Sequence, residues 1–129
     1  MSKIQELNPS FSPTELVSKL FYFANTIKLA HLRVSGPGAY AAHVALGDLY
    51  DGLADSADDI AELFQGYKGI QNYSIPPSFY VEPVAFTKSI QKYLIKQISG
   101  LGSMPDIQNK VQDLLAIVTK SIYKLENLK

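Results

Sequence analysis

The sequence predicts an all-α fold, a four-helix bundle, on three observations. Four stretches carry apolar residues at the three- and four-residue spacing of an amphipathic helix. Each of them opens on or beside a proline, the residue best suited to a first helical turn. The 129 residues, 47% apolar and 19% charged, supply the material for one core, so residues 1–129 read as a single domain with 1–11 as a flexible N-terminal segment.

Ser12-Pro13-Thr14-Glu15 combines a capping hydroxyl, a first-turn proline and an acid at the third helical position, which starts the first helix. Val17, Leu20, Phe21, Ala24 and Ile27 give that helix its apolar face, and Ser35-Gly36-Pro37-Gly38 turns the chain. The second helix starts near Pro37 and runs to Gln65 or Gly66, about 42 Å at 1.5 Å per residue. Its core face is Leu46, Leu49, Leu53, Ala57, Ile60 and Phe64. Residues 66–82 contain two glycines, Pro76-Pro77 and four aromatics, and read as an ordered, non-helical connection crossing the bundle. Pro83 opens a third helix through Ile90, Tyr93, Leu94 and Ile98, closed by Gly100 and Gly102. Ser103-Met104-Pro105-Asp106 caps a fourth through Val111, Leu114, Leu115, Val118 and Ile122. Phe21, Tyr22, Phe23, Tyr50 and Phe64 read as core and interface residues.

Twelve basic and twelve acidic residues cancel, which leaves no overall pull toward nucleic acid or an anionic membrane. No run of residues is apolar enough to span a bilayer, and the first ten residues lack the core of a signal peptide, so a cytoplasmic protein is expected. With no Cys, disulfides, thiolate metal sites and cysteine nucleophiles are all absent, and any metal must sit on nitrogen and oxygen. No Ser stands in a nucleophile-elbow setting, Gly36-Pro37-Gly38 is not a phosphate loop, and Glu-x-x-His, the di-iron motif of helix bundles, does not occur.

The second helix carries the informative chemistry. Asp48, Asp51, Asp55, Asp58, Asp59 and Glu62 fall within an arc of about 100°, opposite the apolar face, and no Lys or Arg occurs between Val34 and Tyr67. Lys88, Lys92 and Lys96 line one side of the third helix as a solvated face. Beside the acidic stripe runs a line of mostly small residues, Tyr40, Gly47, Ala54 and Ala61, seven apart, which reads as a seam for close approach of another helix in a dimer. His31 and His43 flank the tight turn, about 6 Å and 9 Å from it, and are expected to face each other and to reach one metal ion. Fifteen residues separate His43 from Asp58, about 22 Å of helix, so one chain offers two half-sites. Two second helices packed antiparallel would complete two equivalent sites from His31, His43, Asp58 and Glu62. This donor set suits Fe(II), and also Mn or Zn.

The segment HLRVSGPGAYAAHVALGDLYDGLADSADDIAE, residues 31–62, resembles the Dps group of ferritin-like proteins, the mini-ferritins. The resemblance implies a ferritin-like four-helix bundle and a ferroxidase site shared between subunits, with His31, His43, Asp58 and Glu62 at the ligand positions and iron as the metal. Asp51 and Asp55 would then form an approach path for cations. The sequence departs from that group in three ways. Gly47 stands where the group has a liganding Asp, the Pro-rich connection replaces a short extra helix, and residues 1–12 hold only Lys3 instead of a Lys-rich DNA-binding tail. The expectation is therefore a homo-oligomer, at least a dimer, binding iron or a similar divalent metal, with no membrane or nucleic-acid partner. The alternative is a non-catalytic helical adaptor that kept the bundle and lost the chemistry.

Overall fold

The computed structural model describes residues 12–102 and 104–128. The expected flexible segment 1–11, with Lys3, and the capping residue Ser103 lie outside the described residues. Four helices make up the rest: α1 (Pro13–Arg33), α2 (Ala39–Lys68), α3 (Pro83–Gly100) and α4 (Pro105–Asn127).

Helix α1 starts as the capping signature requires, with the Ser12 hydroxyl accepting from the Glu15 amide at 3.2 Å. At α3 the Glu82 carboxylate takes the amides of Val84 and Ala85. Helix α4 is capped differently from expectation, because its N-cap position is Met104, a buried thioether that cannot accept these amides well. Asp106 accepts the Ile107 amide at 2.9 Å instead. Helix α2 runs two to three residues further than its apolar pattern, to Lys68, and the turn before it uses Gly36 and Gly38 at φ 84° and 80°. Those backbone angles are open to glycine at little cost and strained for other residues.

Side-chain pairings fix the topology. Lys110 lies 3.3 Å from Asp59 and Ile117 packs over Gly52, so α4 runs antiparallel to α2. Lys88 pairs with Glu126, and Gln91 donates to Thr119, so α4 is also antiparallel to α3. Phe86 meets Phe23, while Lys19, one turn before Phe23, lies over Tyr93, so α3 is antiparallel to α1. Helices α2 and α3 are consequently parallel, and residues 69–82 must return the length of α1 between them. An extended 14-residue strap reaches about 46 Å, whereas a helix of the same 14 residues would span about 21 Å. This is why the segment is Pro-rich and non-helical.

The strap is fastened along α1. Ser74 donates its amide to Ser18 at 3.0 Å, the Ser78 and Thr26 hydroxyls lie 2.8 Å apart, and Arg33 stacks over Tyr80 at 4.5 Å. One core joins all four helices, with Leu16, Leu20, Ile27, Leu46, Leu53, Ile90, Leu94 and Leu114 fully buried. No helix among the described residues is long and apolar enough to cross a membrane.

Tyr93 sits between α1 and α3, where burial first and the nearby Glu15 carboxylate second push its phenol well above the usual 10.0. Below pH 10 the phenol is neutral in both folded and unfolded chains and stability is unaffected by it. Above that, the unfolded chain ionises first, and stability falls as pH rises toward the raised folded value. Tyr93→Phe is expected to unfold less steeply with pH above 10 than the wild type, as read from urea midpoints measured across the alkaline range.

Candidate functional site

The two histidines are brought together across the α1–α2 turn. His31 lies in the last turn of α1 and His43 in the second turn of α2, and their rings stack with centroids 3.7 Å apart and planes 24° from parallel. Each ring is held by the other residue's backbone. His31 Nδ1 lies 2.7 Å from the His43 carbonyl oxygen, and His43 Nδ1 lies 3.0 Å from the His31 carbonyl oxygen. A carbonyl oxygen can only accept, so both Nδ1 atoms carry the proton. In the neutral imidazole this leaves each Nε2 with its lone pair, the form that binds a metal.

The local sequence explains why this reciprocal pair can form. The His31 carbonyl belongs to the last four of α1, which have no acceptor role inside their own helix. His43 Nδ1–H satisfies it and so acts as a side-chain cap. The His43 carbonyl lies inside α2, where its helical partner is the amide of Gly47 one turn on, and its second lone pair is available to His31. Gly47 has no Cβ to obstruct that approach. A Cβ built there would lie 3.1 Å from His31 Cε1 and 3.4 Å from His31 Nδ1.

Gly47 therefore permits close approach, as its small size suggests, but of this chain's own α1. The remainder of the expected dimer seam follows it inward. Residues seven apart share a helix face, Ala61 is only 8% exposed, and Ala54 is half-buried against the core. Gly47 of that line thus meets α1 within the chain, with Ala54 half-buried and Ala61 buried further along the same face. Of that line only Tyr40, 82% exposed, stands free.

The carboxylates are elsewhere. Asp58 and Glu62 are exposed on the outer face of α2, some four to five turns from His43, and the structure does not bring them to the histidines. Among the described residues no group of three or more His, Cys, Asp or Glu side chains is placed to hold a metal ion within one chain. Asp51 and Asp55 are exposed beside them, and Asp59 is drawn out of the stripe by Lys110. Two further residues wall the histidine pair. Tyr50 meets His31 edge-on at 5.4 Å, and Lys28 lies 5.4 Å over the Tyr50 ring. Tyr50 follows His43 by two helical turns and Lys28 precedes His31 by one, a spacing that could have placed both beside the pair.

The fold and this site define a class: a four-helix bundle with one long crossover and a histidine pair clasped across its first turn. More particularly, the chain belongs to a family of unknown function, DUF5856, whose pattern matches residues 35–125. That match contains His43, Asp58 and Glu62, and begins just after His31. No curated protein and no solved structure matches the chain.

Two glycines of α2 provide a paired test of the clasp. Gly66 has open space where a Cβ would go, so Gly66→Ala is expected to gain the helical preference of alanine, about 0.5–1 kcal/mol. Gly47→Ala gains the same preference but pushes on a ring pinned at 2.7 Å, and is expected to lose about 1 kcal/mol net. Urea unfolding of the two variants against the wild type measures the difference in sign.

Proposed function

We propose that two copies of this chain form Dps-like metal sites, each with His31 and His43 from one copy and Asp58 and Glu62 from the other. Fe(II) would be the substrate, with Mn or Zn as alternative occupants, and the cytoplasm the location. The observation that carries this reading is the engagement of both Nδ1 atoms by carbonyls, which leaves each of the two stacked rings with its Nε2 lone pair available at the end of the α1–α2 hairpin. The donor set fits: two imidazoles and two carboxylates that hold no ion pair among the described residues. The single long crossover between parallel α2 and α3 is also a connectivity of ferritin-like bundles.

When bound, Fe(II) would be oxidised by peroxide or dioxygen. The chain's own contribution is to fix the two rings, to present the carboxylates on a straight helix, and to draw cations along Asp51 and Asp55. Copies meeting through the exposed face of α2, and not through the small-residue line, would place the two ends of that helix together.

A second reading has its own observation. The clasp gives both histidines a structural task, and Gly47 replaces a carboxylate of the resembled site, as a non-catalytic bundle that lost the chemistry would show. The two readings part on metal uptake. After Fe(II) or Zn(II) loading and desalting, elemental analysis is expected to find metal in the wild type and none above background in His43→Ala or Asp58→Ala. Mixed in equal amounts and allowed to exchange, the two variants should recover about a quarter of the wild-type content, because each mixed dimer retains one intact site. Metal-free wild type, or no recovery on mixing, would favour the non-catalytic bundle.

A further inference from the structure

Charge is divided across the bundle as well as along the chain. Helices α2 and α3 each pack on both α1 and α4, so they stand at opposite corners and their outer faces point away from each other. Helix α2 carries six acids against one lysine, Lys68. Among the described residues only Asp59 of those acids holds an ion pair, with Lys110. Helix α3 carries Lys88, Lys92 and Lys96 and no acid. All three lysines are exposed; Lys88 reaches Glu126 on α4, and Lys92 and Lys96 hold no ion pair among the described residues.

The two stripes match in pitch. Lysines four apart recur about every 6 Å along α3, and Asp51 and Asp55 stand the same distance apart along α2. With the 18-residue α3 of one copy centred on the 30-residue α2 of another, Lys92 falls level with the stretch between Asp51 and Asp55. Laid antiparallel, the direction in which the helix dipoles oppose, Lys96 comes level with the Asp48 turn and Lys88 with the Asp58 turn. Ile95, 56% exposed between Lys92 and Lys96, adds an apolar contact. One chain thus carries both a surface and its complement.

We propose that, in the absence of divalent metal, copies of this chain associate head to tail, the lysine face of α3 in one copy docking on the acidic face of α2 in the next. This contact sets opposite charges together, whereas two α2 faces would meet as acid against acid and two α3 faces as base against base. Because the two faces point away from each other, two copies cannot satisfy both contacts at once, and the association continues past the dimer into a ring or an open chain. The contact does not need the shared metal site above, but it competes with it. Helix α3 covers the middle of α2, the stretch through which two α2 helices would pair, and a bound cation removes part of the charge that holds α3 there.

Sedimentation equilibrium of the full chain in EDTA at about 50 mM salt tests this. The wild type is expected to exceed the mass of a dimer as its concentration rises, and to dissociate at about 0.5 M salt, where charges are screened within a few ångströms. Lys92→Gln with Lys96→Gln, and separately Asp51→Asn with Asp55→Asn, should each raise the dissociation constant about tenfold or more. Mixed in equal amounts, the two variants should pair one to one and stop there, because the first keeps only its acidic face and the second only its lysine face. A wild type that is monomeric in low salt, a dimer that grows no further, or a mixture that pairs no better than its components overturns the proposal. Growth of the wild type past a dimer, and its reversal by salt, are read without any variant. Metal uptake by a chain that stays monomeric in EDTA leaves the shared site standing, whereas head-to-tail growth without metal uptake supports this contact alone.

Discussion

Two hydrogen bonds crossed between His31 and His43 hold the end of the bundle from which the rest of the geometry follows. Each ring donates to the other residue's backbone, at 2.7 and 3.0 Å, so neither imidazole can turn without releasing the last turn of α1 or the second turn of α2. A neutral hydrogen bond of this kind contributes about 1 kcal/mol net, a modest amount, but the pair also chooses the tautomer. The same contacts that tie α1 to α2 therefore decide which nitrogens remain available for chemistry. Gly47 makes this possible by leaving the His43 carbonyl open to an approaching ring.

The crossover has the complementary role at the scale of the whole bundle. Since α2 and α3 run parallel, 14 residues must return the length of α1, and only an extended chain does so. Contacts at Ser18, Thr26 and Arg33 bind the strap to α1, and among the described residues no other element covers the outer face of α2. The exposed face of α2 carries Tyr40, Val44 and the acidic stripe. Half of the proposed ligands are on that face and half at the hairpin end of the same rod, which ties the chemistry to assembly.

Much of this was legible in the sequence, for identifiable reasons. The four helices announced themselves through apolar periodicity and through Pro13, Pro83 and Pro105, and the strap through Pro76-Pro77 and its aromatics. The juxtaposition of His31 and His43 followed from rise per residue on either side of a tight turn. What residue spacing could not supply was which neighbour a face meets. Small residues such as Gly47, Ala54 and Ala61 signal close approach without naming the approaching helix; at Gly47 the structure shows it to be α1. Nor does spacing reveal side-chain bonds to backbone carbonyls, so the crossed bonds of the histidines required coordinates, whereas the places of Lys28 and Tyr50 beside them were within reach of helical spacing.

The central claim is that both imidazoles are locked as the Nδ1–H form by the backbone. Long-range proton–nitrogen NMR on ¹⁵N-histidine-labelled protein at a pH where the rings are neutral reads this without metal or partner. Both residues should show a protonated Nδ1 and an unprotonated Nε2, with the two Nδ1 protons protected from solvent exchange. The ordinary Nε2–H form at either residue, or the averaged signals of freely exchanging rings, would contradict the account.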